Sequence, residues 1–110
     1  VVMKKNYSLG PLEREIIKIV WQNEKVCVRH IIEQLKSRKK PAYTTVMTVM
    51  NRMVDKGILS REKPNTTCFY KASQTKEDFL RYLSQEKIAT IINQYGNEIV
   101  PFIKNSVSTI

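Results

Sequence analysis

The side chains best equipped for chemistry sit close together, from Arg38 to Arg52, and their chemistry is recognition rather than bond making. Tyr43, Thr44, Thr45, Thr48, Asn51 and Arg52 offer hydroxyls, one carboxamide and one guanidinium. Their spacing is helical. Val46, Val49, Met50 and Met53 recur at i, i+3, i+4 and i+7, which makes one apolar stripe. The threonines, Asn51, Arg52 and Asp55 fall elsewhere on the wheel. A helix fixed to a core along one face, with short donors and acceptors on the other, has the shape and chemistry to enter a major groove. A merely solvated helix face fits the same stretch, and the stretch alone leaves both readings open.

Charge separates them. The 110 residues carry 19 Lys and Arg against 10 Asp and Glu, a net +9. Such an excess suits a polyanion, either nucleic acid or an anionic membrane surface. Between Arg29 and Lys63, nine cations (Arg29, Lys36, Arg38, Lys39, Lys40, Arg52, Lys56, Arg61 and Lys63) face three carboxylates, Glu33, Asp55 and Glu62. That segment therefore holds +6 of the total. The basic run Arg38-Lys39-Lys40 stands before the candidate helix; Arg61 and Lys63 stand after it. Clustering of this kind points to phosphate contacts.

Other chemistries lack their parts. Cys27, Cys68 and the single His30 have neither metal-ligand nor redox spacing, so no metal and no cofactor is expected. His30 reads as a surface residue and the cysteines as incidental thiols of a reducing cytoplasm. There is no Gly-rich phosphate loop, no Ser/His/Asp or Cys/His set and no pair of carboxylates spaced for acid–base work. An enzyme is not expected. No apolar run approaches the roughly 18 residues of a membrane span. The opening Val-Val-Met-Lys-Lys-Asn shows no leader core. The expectation is a cytoplasmic protein with no membrane partner.

The elements that must hold the candidate helix follow from periodicity. Residues 11–23 read as a first helix, with Pro11 at its start, an early Glu13, and a stripe of Leu12, Ile16, Ile19 and Val20. Ile17 and Trp21 widen that stripe, and Trp21 is expected in the core. Lys25-Val26-Cys27 is short and extended. A second helix is predicted over 28–37, with Val28, Ile31, Ile32 and Leu35 inward. Pro41 separates it from the polar-faced helix. Gly57 suits the left-handed position after that helix, and Lys56 the negative end of its dipole. Then the period changes to that of strands. Runs 58–63 and 68–72 flank the turn residues Pro64-Asn65-Thr66-Thr67, which predicts a hairpin. The fold class is therefore mainly α with a small β-hairpin, a winged helix-turn-helix over 8–74.

Residues 75–110 are expected to form a helical dimerisation region. Thr75 and Asp78 resemble a capping box opening a helix from Lys76 to about Tyr95. Gly96 fits its C-terminal position, and a last helix runs from Glu98 to about Ser108. The winged domain already has a core. The apolar set Phe79, Leu80, Leu83, Ile88, Ile91, Ile92, Tyr95, Ile99, Phe102 and Ile103 needs another surface, and a second copy of the chain is the simplest one. Packing back on the same chain is the alternative.

Leu9-Gly10-Pro11-Leu12-Glu13, Val20-Trp21 and the run Ala42-Tyr43-Thr44-Thr45-Val46-Met47-Thr48-Val49-Met50-Asn51-Arg52-Met53-Val54-Asp55-Lys56-Gly57 together resemble the penicillinase-repressor family of bacterial transcription regulators. The resemblance covers about residues 8–75 well and the tail loosely. It implies a dimer of winged helices on a palindromic DNA operator, acting as a repressor. Carried over by position, it assigns base and backbone contacts to Thr44, Thr45, Met47, Thr48 and Arg52. Met47 stands where relatives carry a long polar or basic residue, and a thymine methyl suits it instead. The Cys-x-Cys pair of a copper-responsive branch is missing. The inactivating sensor-protease of another branch cuts at an Asn-Phe pair; here Asn97 is followed by Glu98, so that cleavage is not carried over, while an inactivating protease or sensor stays open as a partner.

Taken together, the reading is a homodimer on double-stranded DNA. The DNA contacts expected are Arg38, Lys39, Lys40, Tyr43, Thr44, Thr45, Met47, Thr48 and Arg52, with Arg61 and Lys63 on the wing. The alternative is a winged-helix module for protein or RNA contact, without operator specificity.

Overall fold

The computed structural model describes residues 7–109; the leader expectation, which rests on residues 1–6, lies outside them. The chain divides into two compact units, through Lys76 and from Glu77 onward.

The first unit is built from α1 (Pro11–Trp21), α2 (Val28–Gln34), α3 (Tyr43–Asp55) and the antiparallel strands β1 (Leu59–Glu62) and β2 (Phe69–Ala72). Pro11 opens α1, where its missing N–H costs nothing, and the Glu13 carboxylate accepts the Gly10 N–H at 3.0 Å. Ile16, Ile17, Ile19 and Val20 of α1 are buried with Val28, Ile31 and Leu35, with Val46, Met50 and Met53 of α3, and with Ile58, Leu59 and Tyr70 of the hairpin. Val26 exchanges two backbone hydrogen bonds with Tyr70, at 2.9 and 2.7 Å. The extended Lys25-Val26-Cys27 stretch thus tethers the hairpin to the segment between α1 and α2.

Several boundaries differ from the sequence expectation. The first helix stops at Trp21, and Trp21 is only half-buried, with the Lys76 ammonium 5.9 Å from its ring centre. The second helix stops at Gln34 rather than Ser37. Leu35 turns extended, and the Lys36 N–H donates to the Glu15 carboxylate at 2.8 Å instead of to a helix carbonyl. The Lys40 ammonium donates to the Leu35 carbonyl and so helps close this helix end. Gly57 and Gly96 both take positive φ, +80° and +84°, as their places after helices require.

The second unit continues α4 (Lys76–Tyr95) and carries a short 3₁₀ turn, Asn97–Ile99, leading into α5 (Val100–Thr109). The sequence places the start of the last helix at Glu98; in the structure a tighter 3₁₀ turn occupies that position and α5 begins at Val100. Pro101 lies in the first turn of α5, where no intrahelical N–H is needed. Asp78 forms an ion pair with Arg81 at 2.8 Å.

Candidate nucleic-acid interface

The α3 helix has two chemically distinct sides. Val46, Met50 and Met53 are fully buried. Thr44, Thr48 and Arg52, each four residues from the next, are exposed and run down the opposite side, with Thr45 exposed beside them. Tyr43, at the first turn, is 52% exposed. Met47 is half-buried, on the flank between the two sides. The N-terminal half of α3 therefore offers hydroxyls at its positive end, while the one carboxylate of the helix, Asp55, lies at the far end.

The basic run precedes this face. Arg38, Lys39 and Lys40 are exposed in the turn between α2 and α3, where the Ser37 hydroxyl donates to the Lys39 carbonyl at 2.8 Å. Not every cation counted in the sequence is equally available. Lys40 is held on Leu35. Lys56 forms an ion pair with Glu13 at 2.8 Å, tying the end of α3 to the start of α1. That pair is largely shielded from solvent. Burial works against ionisation of Glu13, but the Lys56 ammonium, the Gly10 N–H and the nearby charge of Arg52 outweigh it and hold the carboxyl below its ordinary range. Lys56 therefore serves the fold, and the positive surface is carried by Arg38, Lys39, Arg52 and the hairpin. Arg61 and Lys63 are exposed on the wing. Lys25 packs over the Phe69 ring at 4.8 Å and reaches Glu62 at 3.7 Å, bracing the strand pair nearest the turn of the hairpin.

By spacing alone, Asn51 falls on the polar side of α3 with no contact of its own. In the structure its carboxamide oxygen accepts two hydrogen bonds, from Arg61 Nη1 at 2.6 Å and from the Tyr70 hydroxyl at 2.8 Å. Arg61 and Tyr70 are directly opposed across the hairpin. Burial, with the Cys68 thiol beside it, pushes the Tyr70 hydroxyl up to about 12, against the opposing pull of Arg61. Helical spacing carries no signal for this link, because it depends on the strand register.

The tail has its own surface. Leu80, Ile88, Ile91, Tyr95 and Phe102 of the expected dimerisation set are exposed; Leu83, Ile92, Ile99 and Ile103 are half-buried. Phe79 departs from that set. It is 3% exposed within the single chain and so has little surface left for a partner. Tyr82 and Val107, absent from the expected set, are also exposed. Among the described residues, no group of three or more His, Cys, Asp or Glu could hold a metal ion, Cys27 and Cys68 are free thiols, and no helix is long and apolar enough to cross a membrane.

The penicillinase repressor family model matches residues 9–109, which takes in both units. The chain belongs to the penicillinase repressor family. Among its relatives, the methicillin resistance regulatory protein MecI of Staphylococcus aureus is 25% identical over 92 residues, spanning 84% of this chain and 74% of MecI. The penicillinase repressor of Bacillus licheniformis is 23% identical over 104 residues, 94% of this chain and 81% of the relative. The transcriptional regulator BlaI of Mycobacterium tuberculosis is 31% identical over 88 residues, 79% of this chain and 64% of BlaI. The fold is shared with the solution structure of the DNA-binding domain of the repressor BlaI, at a TM-score of 0.58 and 24% identity over 69% of this chain and 93% of that one. It is also shared with a homodimeric winged helix-turn-helix DNA-binding domain from Mycobacterium bovis, at a TM-score of 0.54 and 14% identity over 76% and 70%. For this penicillinase repressor family member, the winged helix-turn-helix expected from the sequence is the fold observed.

Proposed function

We propose that the chain is a transcriptional repressor that binds a palindromic double-stranded DNA operator as a homodimer. One observation carries the reading. The exposed Thr44, Thr48 and Arg52 line lies directly opposite the buried Val46, Met50 and Met53, so packing presents this face outward at the N-terminal half of α3. Family membership supports the same conclusion. Thr44, Thr45, Thr48 and Arg52, with Met47 toward a thymine methyl, supply register and base reading in the major groove. Arg38, Lys39 and Lys63 neutralise phosphates; Tyr43 and Lys40 add contacts at the helix start, Lys40 by leaving its carbonyl partner.

The tail supplies the second copy. Tyr95, Phe102 and Val107, each about two-thirds exposed, present more apolar surface than a lone helical tail keeps in water. Pairing two tails sets two α3 helices about one DNA turn, or a small multiple, apart. Repression follows from occupying the promoter. The family is one of transcriptional repressors and not of enzymes, and no step of this mechanism needs a cofactor.

The test is a fluorescence-anisotropy titration of the duplex upstream of the protein's own gene against a scrambled duplex, at two salt concentrations. The expected result is preferential binding, with a salt slope worth several phosphates. Equal, weak binding to both duplexes overturns the reading and directs attention to a protein or RNA partner.

A further inference from the structure

We propose that Asn51 is a positioning residue, one that docks the wing on the recognition helix and so sets where Arg61 meets DNA. The inference rests on the DNA-binding reading above and deepens it.

A carboxamide oxygen has two lone-pair directions, and here both are used. One accepts from a guanidinium on β1 at 2.6 Å, the other from a phenol on β2 at 2.8 Å. Because Arg61 and Tyr70 form a cross-strand pair, a single atom of α3 fixes both strands of the hairpin at one level. The Tyr70 end of this link is rigid. Its side chain is 2% exposed, and its backbone exchanges two hydrogen bonds with Val26. The Arg61 end is exposed. Arginine has five N–H donors, and its links to Asn51 and toward Tyr70 do not use them all, so donors remain to meet a phosphate. Asn51 follows Met47 by four residues and Thr48 by three, so it holds the guanidinium one turn along from the reading side chains. Without it, Arg61 regains the rotamer freedom of a long side chain on a four-residue strand.

This differs from a direct role, in which the Asn51 carboxamide would pair with an adenine edge, and from a structural role confined to satisfying Tyr70. The three roles give different numbers. The experiment measures operator affinity against salt for the full chain, for Asn51→Ala, Arg61→Ala and the double variant, using the duplex upstream of the protein's own gene and a scrambled control. Thermal melting of each variant accompanies the titrations.

If Asn51 positions Arg61, Asn51→Ala weakens operator binding roughly tenfold and lowers the salt slope by about one, although the Arg61 charge is still present. Arg61→Ala produces the same two changes, and the double variant is no worse than either single one. A lower melting temperature for Asn51→Ala with unchanged affinity and slope overturns the proposal in favour of a structural role. Additive losses with an unchanged slope overturn it in favour of base reading. If Asn51→Ala does not fold, Asn51→Ser takes its place. It keeps a shorter acceptor near the Tyr70 hydroxyl, and the slope is again expected to fall by about one. Failure of the wild-type chain to prefer the promoter duplex overturns the DNA-binding reading, and this inference with it. Preferential wild-type binding with a normal slope for the Asn51 variant overturns this inference alone.

Discussion

Through Lys76, every element turns apolar side chains inward: Ile16 and Val20 of α1, Ile31 of α2, Val46, Met50 and Met53 of α3, and Leu59 and Tyr70 of the hairpin are all buried. From Glu77 onward, Phe79 is the only described side chain that is buried, while Leu80, Ile91, Tyr95, Phe102 and Val107 stand in the open. Both regions are equally regular as secondary structure. The difference lies in what their apolar faces meet. The first unit encloses its core with five elements, so its exposed surface is free to be polar and basic. The tail has two helices and a short turn, too little to enclose anything. Its apolar pattern also shifts around α4. Phe79, Leu80 and Leu83 define one side, and Ile88, Ile91, Ile92 and Tyr95 continue on a face rotated from it, past the polar Ser84-Gln85-Glu86-Lys87. A helix with apolar residues on more than one side suits a position between neighbours. This difference supports the proposal that the self-contained unit recognises DNA and the incomplete one assembles.

That division can be broken from either side. The largest effect is expected in the tail. Ile91→Asp combined with Phe102→Asp places two charges on the exposed apolar surface, and self-association should weaken about 1000-fold, near 4 kcal/mol. Sedimentation should show monomers whose first unit still melts cooperatively. A variant that stays dimeric would move the interface elsewhere. Next comes the core. Met50→Ala leaves a cavity under α3 and should lower the stability of the first unit by about 3 kcal/mol, read by denaturant titration. A loss under 1 kcal/mol would mean that α3 is not anchored by this side chain.

Smaller effects sharpen the account of the reading face. Arg52→Ala should weaken operator binding by about 1–3 kcal/mol and leave the fold intact, because the side chain is exposed. An unchanged affinity would remove Arg52 from the interface. Smallest is the Glu13–Lys56 pair. Glu13→Gln should cost about 1 kcal/mol of stability near neutral pH. The folded-state pKa of Glu13 lies below its ordinary 4.5. Its contribution is therefore complete above the unfolded value and is lost as pH falls through the lower, folded one. The wild-type and Glu13→Gln melting curves should converge in that acid range. Tyr70 has the opposite sign. Its raised value stabilises the fold below about pH 10, and that stability fades as pH climbs toward about 12.

Much of the fold was legible because its signals are local. The stripe of Val46, Met50 and Met53, the turn residues after Lys63, and Gly57 and Gly96 each encode their element within a few residues. What escaped depends on partners distant in sequence. The end of α2 is set by Glu15, 21 residues before the N–H it accepts. Lys56 reads locally as a cation at the negative end of α3, and nothing near it in sequence points to its partner Glu13, 43 residues away. Asn51 looked like one more polar helix residue, and only the register of β1 against β2 brings Arg61 and Tyr70 to its oxygen. Phe79 shares the periodicity of its exposed neighbours, and burial alone tells it apart. The candidate reading face of α3 was legible in the sequence; the contacts that brace it against α1 and the wing were not.

The central claim is that one unit reads and the other pairs, so that DNA is met by two chains at once. Sedimentation velocity of the wild-type chain, alone and with the duplex upstream of its own gene, tests this most directly. The account predicts a dimer in the free protein and two chains on each duplex. A free monomer that loads one chain per duplex would contradict it.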